Sequence, residues 1–289
     1  MILNQHNKAG KTTGLLAAMA SLLFSACQKD FADNGLASEL SPSFTVAPIA
    51  GRTNTYLLTN TTAGALNSRW DFDKGAGYGI GKFVDTVFYP DAGVYAVRMQ
   101  ALGKGGIYYN APSQNITVAT SDPNAGNLVQ GGKMNAADAA KWNILNISAG
   151  VTMELKDGRM LANGGGWGHA GFWQKLTVVA GKKYRFGMTV AGSGATDTWA
   201  EVYFGTTVPV NGSDYSSGGK QIAMNTWAGC GNVPFSGNIA VIGCDGPLVG
   251  KNGEITFTTS GDIYLVVKTG GANIGTTGIS FDNVELRGM

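Results

Sequence analysis

The chain has 289 residues, of which 44 are glycine and only 14% are charged. This length suits about two domains, and the glycine content suits strands joined by tight turns, because glycine accepts the positive φ that such turns require. The formal net charge is +2, but both charged residues before Cys27 are lysines. The remainder is therefore neutral, which argues against a nucleic-acid-binding protein, because such proteins carry clustered basic residues.

The chain begins with the pattern of a secretory signal peptide. Lys8 and Lys11 make a basic start, an apolar stretch covers 14–24, and two small residues, Ser25 and Ala26, follow it. The apolar stretch is too short to span a bilayer, which takes about 20 apolar residues. We therefore predict that residues 1–26 are a cleaved signal and that the protein is exported.

Cys27 comes directly after these small residues, and burial in a core, a disulfide and lipidation are its three candidate fates. The string LFSAC resembles a bacterial lipobox, with Phe24 in place of the commoner Leu. The resemblance implies that Cys27 is the lipidated first residue of the mature chain, and two or more acyl chains anchor a protein stably. An ordinary cleaved signal with a free cysteine is the alternative.

The residues after Cys27 indicate where the anchored protein lies. Gln28-Lys29-Asp30 is similar to the short signal that sends Bacteroidetes-type lipoproteins to the outer face of the outer membrane. Residues 27–41 have little apolar periodicity and predict a flexible tether. We therefore expect an outer-membrane lipoprotein that faces the cell exterior.

Residues 42–119 predict a first domain, an all-β sandwich. Its strand-like runs are 43–47, 55–59, 68–72, 82–89, 93–101 and 114–119. The strings RWDFDKG and VFYPDAGVYAVRM resemble a PKD domain, an immunoglobulin-like module, although Asp73 and Lys74 stand where the family has Gly-Asp. PKD domains usually act as spacers or protein contacts, so Trp70 is predicted to be a core residue rather than a sugar platform.

Residues 120–125 predict a linker and 126–289 a second all-β domain of jelly-roll size. Its strand-like runs are 142–147, 151–155, 171–178, 183–190, 199–205, 253–258, 262–268 and 278–287. Three strings, NLVQGGKMN, GFWQKLTVVAGKKYRFGMTV and ISFDNVEL, resemble the opening, the central hairpin and the closing strand of carbohydrate-binding modules of families 4, 9, 16 and 22. The resemblance implies a β-sandwich jelly roll that binds polysaccharide or oligosaccharide.

Many modules of these families hold a structural calcium ion, which the resemblance places between Asn135 and Asp282. Asp282 matches the closing acid of the family, but Asn135 stands where the family has glutamate. Calcium prefers several oxygen ligands with sufficient negative charge, so the loss of a carboxylate weakens this predicted site. The alternative for Asp282 is a surface acid that faces a turn.

Cys230 and Cys244 lie in the exported part of the chain, where thiols tend to be oxidised. If Cys27 carries lipid, these two cysteines form an even pair. We predict a disulfide between them, which would stabilise the fold by about 3 kcal/mol in the chain-entropy model.

Strand parity predicts the face that binds ligand. In WAEVYFG, Val202 and Phe204 alternate with residues that would point away from the core, and in KKYRFGMTV the apolar residues alternate with Arg185 in the same way. Sugars stack their C–H bonds on aromatic rings and form hydrogen bonds to charged groups. The predicted carbohydrate contacts are Trp167, Arg185, Trp199, Glu201, Tyr203 and Trp227.

Edge or core packing is the alternative for the four aromatic residues of that set. Trp167 lies in the glycine-rich string NGGGWGHAG, which predicts a loop, and Trp227 lies in a loop just before Cys230. His169 is predicted to be a turn residue rather than a contact. Trp173 fits the ligand face and the core equally well.

The sequence contains no recognisable catalytic constellation. Glycoside hydrolysis needs two facing carboxylates, and parity gives Glu201 no acid partner; a Gly-x-Ser-x-Gly string and a phosphate loop are also absent. We therefore expect a non-catalytic surface lipoprotein that captures polysaccharide for a glycan uptake and degradation system, with outer-membrane transporter components as partners. The neutral mature chain favours a neutral glycan such as a β-glucan. The alternatives are an adhesion or protein-interaction lipoprotein and a hydrolase or lyase built on the jelly roll.

Overall fold

A computed structural model describes residues 39–289, and these residues form an all-β protein. The predicted signal peptide, Cys27 and most of the predicted tether lie outside the described residues. The chain folds as two compact units: the described residues up to Val87 join Val94–Ile116 in the first, and Phe88–Gly93 joins Thr117–Met289 in the second. Between residues 39 and 289, no helix is long and apolar enough to cross a membrane.

The first unit is a sandwich of two sheets, as predicted. Its strands are β1 (Phe44–Pro48), β2 (Thr55–Asn60), β3 (Asn67–Asp71), β4 (Gly79–Gly81), β5 (Val84–Phe88), β6 (Gly93–Leu102), β7 (Tyr108–Asn110) and β8 (Gln114–Val118). One sheet has the order β1-β2-β5, and the other has the order β4-β3-β6-β7 with β8 also beside β6. Membership of the PKD family stays a prediction.

Trp70 lies in the core of this first sandwich. Its side chain is buried, and its ring packs edge-on against Phe44 with the ring centroids 5.3 Å apart. Its Nε1 donates a hydrogen bond to the carbonyl oxygen of Lys82 at 2.9 Å, so the one polar atom of the indole is satisfied. The prediction that Trp70 is a core residue is therefore confirmed.

The second unit is a larger sandwich. Its strands are β9 (Asn143–Asn146), β10 (Val151–Lys156), β11 (Arg159–Val178), β12 (Lys183–Gly192), β13 (Thr196–Gly205), β14 (Lys220–Asn225), β15 (Phe235–Asn238), β16 (Glu254–Thr256), β17 (Gly261–Asn273) and β18 (Ile279–Gly288). We call β14-β13-β17-β11-β9 the front sheet. We call β11-β18-β12-β15 the back sheet, with β10 beside β11 and β16 beside β12.

Strand β11 belongs to both sheets, because its first half pairs with β18 and its second half pairs with β17. The change occurs near Gly164, whose φ is +123°. A Cβ atom at this position would lie 1.9 Å from the carbonyl oxygen of Gly150, which directly precedes β10. Only glycine therefore lets β11 approach the start of β10 this closely. The sequence predicted only 171–178 as a strand, because this glycine-rich string has the composition of a loop.

The two sheets pack through apolar side chains of β12 and β13. Phe186 of the back sheet meets Phe204 of the front sheet edge-on, with 5.4 Å between the ring centroids. Val202 and Tyr184 are buried in the same core. The predicted parity of both strands is therefore confirmed, and each sheet presents its other face outward.

Candidate functional site

We call the outward face of the front sheet the front face. It carries residues that strand parity predicted to contact the ligand. Trp199 and Glu201 alternate along β13 with the buried residues Ala200 and Val202. On the neighbouring strand β17, Glu201 lies opposite Lys268 in the sheet register. Charged and aromatic side chains thus share one outward surface.

Three tryptophans from distant parts of the sequence meet on this surface. The ring centroid of Trp227 lies 6.4 Å from that of Trp167 and 6.3 Å from that of Trp199, with interplanar angles of 20° and 30°. The imidazole of His169 lies 5.9 Å from the indole of Trp199. We call Trp167, His169, Trp199 and Trp227 the aromatic cluster, and its two most exposed residues, Trp167 and Trp227, are 59% and 57% exposed.

A β-bulge holds Trp167 in place. The pairing of β11 with β17 shifts register between Gly165 and Gly168, so one extra residue is accommodated there. Trp167 itself has a φ of +66°, in the left-handed region that bulky residues rarely adopt. The predicted loop at this position is wrong: Trp167 lies within β11, and the bulge turns its side chain toward the cluster.

His169 is a strand residue of β11 rather than the predicted turn residue. Its neighbour across the register is Gly270 of β17. A Cβ atom on Gly270 would lie 2.4 Å from the Cβ atom of His169, so the glycine leaves the space that the imidazole occupies beside Trp199. The sequence prediction failed because the glycines around His169 are typical of turns, whereas here they serve close strand pairing.

Trp227 lies on a short, well-supported turn. It sits in a 3₁₀ turn, Thr226–Ala228, where its backbone N–H donates to the side-chain oxygen of Asn225 at 3.0 Å. The disulfide between Cys230 and Cys244 lies directly after this turn, as the sequence predicted. A cap and a cross-link together constrain the backbone of this turn, so little backbone entropy is lost when Trp227 binds a ligand.

A network of charged side chains, here called the polar network, adjoins the aromatic cluster. Lys268 Nζ lies 2.7 Å from Asp214 Oδ1 and 3.6 Å from Glu201 Oε2. Lys220 Nζ lies 3.9 Å from Glu201 Oε1 and donates to the carboxylate of Asp245. Glu201 therefore joins two lysines, each of which also contacts a second carboxylate.

The polar network is linked to the aromatic cluster at both ends. Asp214 Oδ1 lies 3.7 Å from His169 Nε2. Asp245 accepts a hydrogen bond of 2.8 Å from Asn225 Nδ2, and Asn225 in turn caps the turn of Trp227. The charged groups thus position the rings as well as line the surface between them.

Two pKa shifts describe the electrostatics of the network. Burial, and then the neighbouring Glu201 carboxylate, raise the pKa of Tyr203, whose hydroxyl donates to Glu201 Oε2 at 2.8 Å. The hydrogen bond from Lys220, helped by a second bond from Asn225, holds the pKa of Asp245 below its usual range despite partial burial. Tyr203 therefore remains a donor and Asp245 remains an anion at neutral pH.

Tyr203 does not offer its ring to a ligand. The ring is only 6% exposed and packs edge-on against Tyr215, with 5.9 Å between the centroids. Leu145, Ile147 and Val266 complete this small apolar cluster on the front sheet. The alternative of core packing therefore describes the ring of Tyr203. Its contacts with the polar network are the hydroxyl bond to Glu201 and the ammonium group of Lys268, which lies 5.0 Å from the ring centroid.

Arg185 is not brought together with the other predicted contacts. It lies on β12 in the back sheet, where its guanidinium pairs with Glu254 at 3.1 Å. Parity correctly placed Arg185 on an outward face. It could not say which of the two sheets that face belongs to, and the two outward faces lie on opposite sides of the shared core.

The residues predicted to hold calcium make other bonds. Both carboxylate oxygens of Asp282 accept hydrogen bonds from Asn283, at 2.6 and 2.9 Å, and the backbone N–H of Asn135 donates to Asp138. Lys133 Nζ donates to Asn283 Oδ1 at 2.9 Å. Among residues 39–289, no group of three or more His, Cys, Asp or Glu side chains could hold a metal ion. Asn135 and Asp282 supply only one carboxylate between them, whereas calcium prefers several oxygen ligands and more negative charge. A structural calcium ion stays a prediction.

Sequence reasoning missed four members of the polar network: Asp214, Lys220, Asp245 and Lys268. The parity of 262–268 contained a signal for Lys268, because it alternates with the apolar residues Leu265 and Val267. Asp214 and Asp245 lie outside the strands, where no periodicity applies. Only the fold shows that Asp214 and Asp245 contact the same two lysines as Glu201 does.

No protein-family model matches this chain, and no curated protein sequence matches it. Several solved structures are similar. One, from work on the promiscuous specificity of carbohydrate-binding modules of the β-sandwich superfamily, has 15% identity and a TM-score of 0.28 over 86% of this chain and 98% of its own. A CBM4 structure has 14% identity and a TM-score of 0.33 over 56% and 99%.

A third similar structure is the N-terminal CBM22 tandem domain of Paenibacillus barcinonensis Xyn10C. It has 9% identity and a TM-score of 0.35, over 88% of this chain and 92% of its own. Identities and scores this low identify no family. The site itself, rather than these neighbours, supports the function proposed below.

Proposed function

We propose that this protein is a non-catalytic, surface-anchored lipoprotein that captures polysaccharide on the front face of its second unit. The aromatic cluster stacks against sugar rings, and the polar network forms hydrogen bonds with their hydroxyl groups. The lipid on Cys27 holds the protein on the outer face of the outer membrane. Captured glycan passes to separate hydrolases and to an outer-membrane transporter.

The observation that carries this proposal is the meeting of Trp167, Trp199 and Trp227 on an exposed surface. Aromatic side chains bury 150–250 Å² each, roughly, when they enter a core, yet two of these rings remain more than half exposed. The fold also maintains Trp167 in an unfavourable backbone conformation, and such strain is concentrated at functional sites. Exposed, rigid rings beside charged hydrogen-bonding groups suit a ligand that is apolar on its faces and polar at its edges, as a pyranose is.

The carboxylate of Asp245 is unsuited to act as the general acid of glycoside hydrolysis. A general acid needs a carboxyl group whose pKa is raised, so that it is protonated when the bond breaks. Lys220 instead lowers the pKa of Asp245, and Lys268 lies close to both Glu201 and Asp214. Asp245 therefore remains a carboxylate, which accepts hydrogen bonds from sugar hydroxyls.

Affinity electrophoresis tests the proposal. The mature protein is run through gels that contain β-glucan, xylan, mannan, chitin or alginate, and we expect retardation on at least one. Trp167→Ala and Trp227→Ala should abolish it with little change in melting temperature, since both rings are exposed. Phe83→Ala, which removes an exposed aromatic ring from the first unit, is the control and should bind as the wild type does.

Three outcomes would contradict this proposal. Absence of retardation on a broad panel would favour the adhesion or protein-interaction alternative, because exposed tryptophans also serve as contacts between proteins. Release of reducing ends on prolonged incubation would favour a glycanase. A large loss of stability in the tryptophan variants would mean that these rings hold the fold together.

The anchor is tested separately. Cys27→Ser should move the protein from the membrane fraction to the soluble fraction, because a single thiol is the acylation point. Protease treatment of intact cells should digest the wild-type protein if it faces the exterior. Protection from protease would place the protein on the periplasmic face of the outer membrane instead.

A further inference from the structure

The charges of the polar network are unequal in number. Its carboxylates are those of Glu201, Asp214 and Asp245, and its ammonium groups are those of Lys220 and Lys268. Among these groups, carboxylates outnumber ammonium groups by one. A ligand that enters the front face therefore meets a small excess of negative charge.

Neither ammonium group is free to receive an anion. Lys268 contacts both Asp214 and Glu201, and its side chain is only 6% exposed. Lys220 donates to Asp245 and lies near Glu201. A lysine that turned toward a ligand carboxylate would weaken its contact with Glu201, whose side chain is only 14% exposed, and would leave that poorly solvated charge without a partner.

Asp214 is the most exposed charged side chain of the polar network. The carboxylate of Asp214 is 57% exposed, although one of its oxygens contacts Lys268. Asp214 lies beside His169, at the edge of the aromatic cluster. A sugar ring stacked on the cluster would bring any carboxylate or sulfate group that it carries close to this anion, and placing like charges together is costly.

We propose that the front face rejects anionic glycans and binds only uncharged ones, with Asp214 and Asp245 as the residues that determine this selectivity. The inference rests on the proposed function and specifies its ligand class. The hydroxyl groups of a neutral glycan donate to the three carboxylates without displacing either lysine. Uronate or sulfate groups meet repulsion instead, which is a common way to exclude the wrong partner.

A charge swap tests this selectivity. Asp214→Asn/Asp245→Asn keeps the shape of both side chains but leaves Glu201 alone with two lysines, so the network becomes positive. The matched control is Glu154→Gln/Glu254→Gln, which removes two exposed, paired acids from the back sheet and changes the total charge equally. Each protein is run at low salt on neutral gels of β-glucan, xylan and mannan and on anionic gels of alginate and polygalacturonate.

We expect the wild type to bind a neutral gel and to bind both anionic gels at least about tenfold more weakly. The front-face variant should gain retardation on the anionic gels, and high salt should reverse that gain, whereas the back-sheet control should gain none. Wild-type binding to alginate or polygalacturonate as strong as to a neutral glycan would overturn the selectivity but leave glycan binding intact. A front-face variant that gains nothing, or a control that gains as much, would also overturn it. If no protein binds any gel, the proposed function itself fails.

Discussion

Glu201 on the front face and Glu254 on the back sheet both point outward from their strands, but their surroundings differ. On the front face, Glu201 shares two lysines with other acids, and Lys268 is nearly buried. On the back sheet, Arg185 and Glu254 form an isolated, exposed pair. Exposed pairs contribute little to stability, whereas a shared, poorly solvated network fixes its members in place. The comparison shows that alternation provides an outward surface, and that cross-links between elements turn it into a site.

The largest effect is expected at the disulfide, which lies directly after the turn that carries Trp227. Cys230→Ser/Cys244→Ser should lower the free energy of unfolding by about 3 kcal/mol, because the bridge joins residues 14 apart in the sequence. It should also weaken glycan binding, since the turn of Trp227 loses its cross-link. Urea unfolding and affinity gels measure the two effects. Unchanged binding in a folded variant would show that the Asn225 cap alone positions Trp227.

The next largest effect is expected at Glu201. Glu201→Gln removes the charge that two lysines share, and it should lower the free energy of unfolding by about 2 kcal/mol. The same change at Glu254 should cost less than about 0.5 kcal/mol, because that pair is exposed. Urea unfolding of the two variants provides a direct comparison. Equal losses of unfolding free energy would mean that Glu201 and Glu254 contribute equally to stability.

A smaller effect is expected from the backbone of Trp167. Trp167→Gly and Trp167→Ala should both abolish glycan binding, but the glycine variant should be more stable by about 1 kcal/mol, because alanine must still adopt the left-handed conformation. Thermal unfolding of the pair measures this difference. Equal stability would indicate that the bulge relaxes once the indole is gone.

The smallest effect concerns pH. The pKa of Asp245 is lower in the folded protein than its ordinary value of about 3.9. Its contribution to stability is therefore present above about pH 4 and is lost as the pH falls through the folded pKa. We expect the difference in unfolding free energy between the wild type and Asp245→Asn to narrow below about pH 4. A difference that stays constant from pH 7 to pH 3 would contradict the predicted contribution of the Asp245 carboxylate to stability.

The sequence predicted both sandwiches and part of the site. Alternation in β13 placed Trp199 and Glu201 outward, and the structure agrees, because a strand that is buried on one side leaves a clear period of two. The same alternation could not assign Arg185 to a sheet, since parity carries no information about neighbours. Trp167 and His169 were misplaced because glycines that permit close strand pairing have the same composition as glycines in loops.

Long-range partners were the least predictable part of the site. Asp214 approaches Lys268 across 54 positions of the sequence, and Asp245 approaches Lys220 across 25. Neither acid belongs to a strand with a visible period. Their placement depends on how the turns around β14 fold back over the front sheet, and no local pattern encodes that path.

The aromatic cluster also gives the protein an optical signal of its own. The chain has six tryptophans, and half of them lie in a row with neighbouring ring centroids no more than 6.4 Å apart. Indoles at such distances couple their electronic transitions, so this row should dominate the near-ultraviolet circular dichroism and much of the fluorescence. A ligand that stacks on these rings would change both spectra, and binding could then be followed in solution without any label.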